Sequence, residues 1–235
     1  MMKIHQLESV PFTTKADRVN EVPDKEVEIK HKLSNKVDPD VLAQAIFDKF
    51  HESRDGHFRI AESLPTIAEV KTRQLKYVDS TKDELLFTVV IRERDGAIFV
   101  KQKGSKAEGE EVELRDEIKT QLSQKAWTPE LEERVIALQA KDLGVSAEAI
   151  TLRSDLSKRK LKVRIENIKT HRIYTVGVIT KKAPDKKAKT LLSIEYVGRE
   201  VPKNSAREEA AKYAIMDDIK TIDSTVLSLG PEIQV

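Results

Sequence analysis

Glutamate, lysine and arginine occupy alternate positions in several segments of this chain. The sets are Glu26, Glu28 and Lys30; Arg92 and Arg94, followed by Lys101 and Lys103; Glu113, Arg115 and Glu117; Lys158, Lys160, Lys162 and Arg164; and the later Glu195. Successive side chains of a β-strand point to opposite faces, so each set is expected on one face of one strand. These faces therefore offer fixed charges of both signs, repeated from strand to strand.

Two interpretations of the charged faces remain open on periodicity alone. In one, the sheet has an apolar core and the charges lie in water, where each ion pair contributes only about 0.5 kcal/mol. In the other, the apolar residues pack outward under helices and the charges line a central tunnel. Three predicted amphipathic helices are available to cover an apolar outer face, which favours the tunnel.

Strands outnumber helices in the predicted secondary structure. They are predicted at 25–33, 75–78, 84–94, 97–103, 112–119, 158–168, 172–180 and 190–197, with a short additional one near Phe58 that is broken at Pro65. Asp95-Gly96 is a hairpin turn between two of them. Short turns join several strands, as in an antiparallel sheet, and eight strands can close into a barrel. The predicted fold class is α+β: an eight-stranded antiparallel β-barrel with a charged interior and helices packed outside.

Three helices are expected to pack against the outside of this barrel. Asp38 caps the first, with Pro39 as its first residue, and Thr128 and Pro129 play the same parts in the second, which ends at Gly144. A third begins at Ser205. The predicted organisation is an N-terminal arm at 1–24, a barrel domain at 25–198, and a C-terminal helix and tail at 199–235 packed on the barrel.

The composition excludes several classes of function. The chain has 235 residues, of which 35% are charged, yet its net charge is only +2, so acidic and basic residues are interleaved. It contains no cysteine, which excludes disulfides, thiolate metal sites and cysteine nucleophiles. No apolar run predicts a signal peptide or a membrane span. We therefore expect a soluble, cytoplasmic protein without a membrane partner.

Several segments, in order, carry a family resemblance. EVEIK (26–30) resembles the E-x-E-x-K signature of the CYTH superfamily, the triphosphate tunnel metalloenzymes that include adenylate cyclase-like and thiamine triphosphatase-like proteins. KYVDSTKDEL (76–85), VIRERDGAIFVKQKG (90–104), LRDEI (114–118), SKRKLKVR (157–164) and LLSIEY (191–196) are similar to later strands of that family. The resemblance covers roughly residues 25–198.

The resemblance implies a metal-dependent hydrolase that holds a triphosphate, such as inorganic tripolyphosphate or a nucleoside or thiamine triphosphate, in an eight-stranded tunnel. Carboxylates suit Mg²⁺ or Mn²⁺, and guanidinium and ammonium groups suit phosphate oxygens. The implied metal ligands are Glu26, Glu28, Glu117 and Glu195. The implied substrate ligands are Lys30, Arg92, Arg94, Lys101, Lys103, Arg115, Lys158, Lys160, Lys162 and Arg164, and the implied catalytic residues are Glu26, Glu28 and Lys30.

Two other functions remain open. The family commonly has an aspartate in its penultimate strand, but YTVGVIT (174–180) has no acid. An adenylate cyclase of the same superfamily would share the tunnel, and a non-catalytic polyphosphate- or RNA-binding module would tolerate missing acids. Residues 153–189 hold thirteen lysines and arginines against three acidic residues, so an RNA partner is possible but less favoured. The five histidines show no metal-like pairing, and the sequence does not fix the oligomeric state.

Overall fold

The computed structural model describes residues 24–34, 36–52, 57–61, 67–103, 113–196 and 205–230. In this part of the chain, nine strands and three helices follow one another. They are β1 (Asp24–Lys32), α1 (Pro39–His51), β2 (Phe58–Ile60), β3 (Ala68–Asp79), β4 (Glu84–Arg92), β5 (Ile98–Lys103), β6 (Glu113–Gln121), α2 (Pro129–Leu143), β7 (Ile150–Asn167), β8 (Ile173–Lys182), β9 (Lys189–Tyr196) and α3 (Ser205–Leu227). A single 3₁₀ turn, Ala147–Ala149, leads into β7.

Eight of the strands pair in a ring. The order is β7-β3-β4-β5-β6-β1-β9-β8, every pair is antiparallel, and β8 pairs in turn with β7. The long strand β7 makes this possible, because its first part pairs with β3 and its second part with β8. The short β2 is a ninth strand that pairs with the last residues of β7. The eight-stranded antiparallel barrel predicted from the sequence is confirmed, with β2 added.

The helix boundaries follow from their caps. The Asp38 carboxylate accepts hydrogen bonds from the backbone N–H groups of Asp40 and Val41, at 2.8 and 3.2 Å, and so satisfies two donors that the first turn of α1 leaves free. The Thr128 hydroxyl accepts from the Leu131 N–H at the start of α2. Gly144 ends α2 in the left-handed conformation, at φ +66°, as its sequence position predicts.

Apolar side chains lie on the outer face of the barrel in two clusters. One cluster, under α1 and α3, contains outward residues of β1, β7, β8 and β9, such as Val27, Val163 and Ile194. The other, under α2, contains outward residues of β3, β4 and β5, such as Leu75 and Val89. Because the apolar face is outside, the opposite, charged face lines the interior. The structure thus decides between the two interpretations of the charged strands in favour of the tunnel.

The helices are also attached to the barrel by polar contacts. The buried Tyr77 hydroxyl donates to Glu132 of α2 at 2.7 Å, and the buried Tyr174 hydroxyl donates to Asp218 of α3. His31 on β1 bonds Asp223 of α3 at 2.7 Å, so this histidine has a structural role.

Some boundaries differ from those predicted. Strand β3 begins at Ala68 rather than at residue 75, and β7 begins at Ile150 rather than at residue 158. Strand β4 ends at Arg92, two residues before the predicted end. The predicted arm lies outside the described residues except for Asp24, which belongs to β1. None of the helices in the described ranges is long and apolar enough to cross a membrane.

Candidate functional site in the barrel interior

Strand register determines which side chains enter the barrel. Val27 and Ile29 of β1 pack outward in the cluster under α1 and α3, so Glu28 and Lys30, between and beyond them, point inward. Residues directly opposite on neighbouring strands share a face. The inward face therefore continues from Glu28 to Glu195 on β9, which is its Cα partner.

Glu28 is a buried carboxylate at this inner face. Only 3% of the residue is exposed, and its side chain accepts a hydrogen bond from the Ser193 hydroxyl at 3.1 Å. The Lys30 ammonium forms an ion pair with the same carboxylate. The barrel thus supplies the Glu28 carboxylate with one neutral hydrogen-bond donor and one cation.

Glu195 has a similar environment. The Lys160 ammonium donates to its carboxylate at 2.6 Å, and only 8% of the Lys160 side chain is exposed. The aliphatic stem of Lys160 crosses β8 over Gly177, where a Cβ atom would overlap with the Lys160 Cε. The absence of a side chain at Gly177 therefore gives Lys160 its path to Glu195.

The interior lysines perturb one another. Burial, together with the positive charges of Lys160, Lys181 and Lys101, lowers the pKa of Lys158 from its ordinary 10.5 to about 7, although the Glu195 charge acts in the opposite direction. Burial and the Lys160 charge also lower the pKa of Lys162. Burial acts to raise the pKa of Glu195, but the attraction of Lys160, Lys162 and Lys158 outweighs it and lowers that pKa overall. The interior is therefore electropositive and favours an anion.

The structure brings many of the predicted site residues onto one surface. Glu28, Lys30, Lys101, Lys158, Lys160, Lys162, Arg164 and Glu195 all occupy inward register positions. The backbones of Glu26, Lys103, Glu113, Arg115 and Glu117 occupy inward positions as well, but their side chains lie outside the described part of the molecule.

The two predicted arginines of the hairpin lie at its turn end. Arg92 is the last residue of β4, where its guanidinium pairs with Asp95 at 2.6 Å and lies 5.5 Å from the centre of the Phe99 ring. Arg94 lies in the turn that follows and is exposed. The structure therefore does not bring Arg94 together with the buried lysines.

Sequence reasoning missed the neutral members of the interior. Ser193 donates to Glu28, Gly177 lies under Lys160, and Thr72 occupies the inward position opposite Lys158. Lys181, also opposite Lys158, belongs to the interior too. The neutral residues were missed because only charged residues distinguish the inward positions in the sequence. Their alternation with outward residues, such as Leu192 and Ile194 around Ser193, is the signal that could have found them.

The interior carboxylates suit a hard divalent cation in their chemistry. Glu28 and Glu195 place oxygen donors on neighbouring strands, and Mg²⁺ is commonly held by one or two carboxylates together with substrate phosphates. Among the described side chains there is no group of three or more acidic or histidine ligands that could hold a metal alone. The donors fit a cation that shares its coordination with a phosphate ligand.

Comparison with known proteins gives structural neighbours only. No family model and no curated protein sequence matches the chain. A Hippeastrum protein described as a candidate adenylyl cyclase with a dominant triphosphatase activity is similar at a TM-score of 0.46 and 11% identity, over 83% of this chain and 88% of that one. A candidate adenylate cyclase of Bacillus halodurans has a TM-score of 0.44 and 16% identity, over 85% and 91%.

A third neighbour is an RNA triphosphatase of S. pombe, with a TM-score of 0.37 and 12% identity, over 99% of both chains. At this level of similarity, the chemistry of the barrel has to be judged from its own side chains.

Proposed function

We propose that this protein is a metal-dependent hydrolase of a triphosphate, which binds inside the barrel. The observation that carries the proposal is the opposed pair of the buried Glu28 and the partly buried Glu195, in an interior otherwise rich in lysine. An interior of this kind is unfavourable for an apolar ligand and favourable for a polyanion. Carboxylates would be out of place in a purely anion-binding site, and their presence supports a bound cation beside the phosphates.

The lysines would bind and orient the substrate. Lys158, Lys160 and Lys162 follow one inward face of β7, and Lys30 and Lys101 approach from other strands, so a polyanion in the interior would meet cations from several sides. Phosphoryl transfer depends mainly on positioning and on charge stabilisation, which this arrangement supplies without a covalent intermediate. The negative charge of the bound phosphates would in turn raise the depressed pKa values of Lys158 and Lys162.

Glu28 and Glu195 would hold Mg²⁺ or Mn²⁺, with Glu26 and Glu117 as further candidate ligands. When bound, such an ion supplies Lewis-acid charge at the phosphate and lowers the pKa of the attacking water. In the structure, Lys30 and Lys160 pair with Glu28 and Glu195, and a bound cation would replace the two ammonium groups at these carboxylates. Those two ammonium groups then become available to phosphoryl oxygens.

One assay tests this proposal. Phosphate release is measured from tripolyphosphate, ATP and thiamine triphosphate, each with Mg²⁺, with Mn²⁺ and with EDTA. We expect release that requires a divalent ion, and the ratio of kcat/KM values identifies the preferred substrate. Formation of cyclic AMP and pyrophosphate from ATP would instead identify an adenylate cyclase.

A non-catalytic phosphate-binding module is the second candidate. It is favoured by the observation that each described interior carboxylate is already paired with a lysine. Such a module could bind RNA through exposed lysines around the β8–β9 turn, including Lys182, Lys186 and Lys187. Tight binding of tripolyphosphate or RNA without any product, with all three substrates and both metals, would support this candidate and contradict the hydrolase.

A further inference from the structure

One buried polar group in the barrel interior has no partner in the protein. The Thr72 hydroxyl oxygen is buried and has no hydrogen-bond partner, and only 7% of the residue is exposed. A buried hydroxyl without a partner is unfavourable, and such groups are rare in folded proteins. Thr72 therefore indicates a ligand atom that the protein's own contacts do not supply.

Thr72 lies in a row of cationic residues. It is the Cα partner of Arg92 on β4 and of Lys158 on β7, and Lys158 is in turn the partner of Lys181 on β8. Directly opposed residues on neighbouring strands share a face, so this row crosses four strands of the inner wall. The hydroxyl is thus a neutral hydrogen-bond donor placed among cations.

Among the described residues, the strand positions beside Thr72 on this wall carry no acid, and the Asp95 carboxylate that pairs with Arg92 lies in the turn after β4. The inward positions of β3 and β4 around the row are Val70, Gln74, Thr88 and Val90, and Lys101 follows on β5. Lys158 forms no ion pair with a described carboxylate, in contrast to Lys30 and Lys160. Lys158 is therefore the cation of this row beside which an anion would fit, because Arg92 already pairs with Asp95.

The electrostatics of Lys158 agree with that conclusion. Burial and the neighbouring cations Lys160, Lys181 and Lys101 lower the pKa of its ammonium, and the Glu195 charge offsets only part of that effect. An anion bound at the row would relieve the repulsion between these cations. A threonine hydroxyl adds one directed hydrogen bond to this diffuse attraction, as neutral donors do in phosphate sites.

We propose that Thr72 is a substrate-binding residue whose hydroxyl donates a hydrogen bond to a phosphoryl oxygen of an anion held beside Lys158. This inference rests on the proposed function, and it places one phosphoryl group on the acid-free wall formed by β3, β4 and the first half of β7. The carboxylates Glu28 and Glu195 lie on other strands. The interior is thereby divided into a phosphate-binding wall and a carboxylate-bearing wall.

Isosteric substitution separates this role from simple packing. Thr72→Val removes only the hydroxyl, Thr72→Ser retains it, and Thr190→Val changes a buried threonine on the outer face as a matched control. Binding of inorganic tripolyphosphate in EDTA is measured by calorimetry, and thermal unfolding is measured without ligand. We expect Thr72→Val to weaken binding about tenfold or more, since a hydrogen bond to a charged group is lost. Thr72→Ser and Thr190→Val should bind like the wild type.

The ligand-free measurement supplies the second criterion. Thr72→Val should be at least as stable as the wild type, because it removes an unsatisfied buried group. Equal binding by wild type and Thr72→Val would overturn the role of Thr72 while leaving the proposed function intact. Loss of both stability and binding in Thr72→Val, without rescue by Thr72→Ser, would assign Thr72 a structural role instead. Failure of the wild type to bind tripolyphosphate would refute the proposed function, and the inference with it.

Discussion

At the scale of single residues, the interior pairs each described carboxylate with its own lysine. The Glu28 carboxylate and the Lys160 ammonium are buried, whereas their partners Lys30 and Glu195 are partly exposed. Breaking either pair leaves a buried charge uncompensated. Such pairs contribute little to net stability, because the cost of desolvation offsets the attraction. These pairs suit the proposed function, because a carboxylate can exchange its lysine for a bound cation without leaving either charge in an apolar environment.

We expect Glu28→Gln to lower turnover with Mg²⁺ or Mn²⁺ by about a hundredfold or more, because one of two proposed metal-binding carboxylates is lost. Tripolyphosphate binding in EDTA should be equal or tighter, since the change removes negative charge and frees Lys30. Steady-state kinetics and calorimetry measure the two effects. Glu84→Gln, at an exposed carboxylate of β4, is the control and should change neither. Full turnover in both Glu28→Gln and Glu195→Gln would refute the metal site.

At the scale of elements, two tyrosines of the barrel attach two helices. Tyr77 and Tyr174 are fully buried on the outer face, and each donates its hydroxyl to a carboxylate of the helix above it. Burial, together with the bond to the carboxylate, raises the pKa of each tyrosine, so both remain neutral donors at physiological pH. Each contact fixes a polar group within an apolar cluster and so fixes the position of the helix along the barrel.

Tyr174→Phe should lower the free energy of unfolding by about 1–2 kcal/mol, because Asp218 loses its tyrosine donor in a buried setting. Asn167, which donates to Asp218 at 2.9 Å, would keep the carboxylate partly satisfied and limit the loss. Denaturant-induced unfolding measures the change. Tyr213→Phe on the same helix is the control, because Tyr213 is 56% exposed and its change should stay within about 0.5 kcal/mol. Equal effects of the two substitutions would argue against the anchoring role.

Elements with caps or strict alternation could be predicted from the sequence, and those without could not. Asp38, Thr128 and Gly144 mark the ends of α1 and α2 as predicted. The first halves of β3 and β7 were missed because their outward positions carry ion pairs in place of apolar residues. Arg73 bonds Asp155 at 2.6 Å across the two strands, and Arg159 pairs with Glu69 in the same way. A strand held by charges on both faces has no hydrophobic period to detect.

The sequence likewise predicts some features of the candidate site and not others. The charged interior positions, from Glu28 to Glu195, could be predicted because alternation of Glu, Lys and Arg is visible in the sequence. The pairing of particular charges could not, because Glu28 and Glu195 meet through strand order rather than through spacing. Thr72 was invisible for a further reason, since a threonine in a strand is ordinary until its missing partner is seen.

At the scale of the whole molecule, the lysines of the barrel interior repel one another. Several cations face one interior, and the depressed pKa of Lys158 is one measure of that repulsion. A polyanion that binds only the folded state stabilises it, by about 2.7 kcal/mol at a hundredfold excess over its dissociation constant. A polyanion bound in the barrel would therefore contribute to folding stability in addition to serving as the substrate.

This repulsion predicts an unusual dependence of stability on pH. Lys158 has a pKa of about 7 in the folded protein and its ordinary 10.5 in the unfolded chain, so between these values the unfolded state binds more protons. The destabilisation is fully present below pH 7 and is relieved as pH rises toward 10.5.

We expect the stability difference between Lys158→Met and the wild type, measured by chemical denaturation without ligand, to shrink as pH rises, by at most about 1.4 kcal/mol per pH unit. Saturating tripolyphosphate should abolish the slope, because the bound anion keeps Lys158 protonated in the folded state. A stability difference that stays constant from pH 7 to pH 10 would show that Lys158 keeps its charge without ligand. The interior would then be better hydrated than the burial of Lys158 indicates.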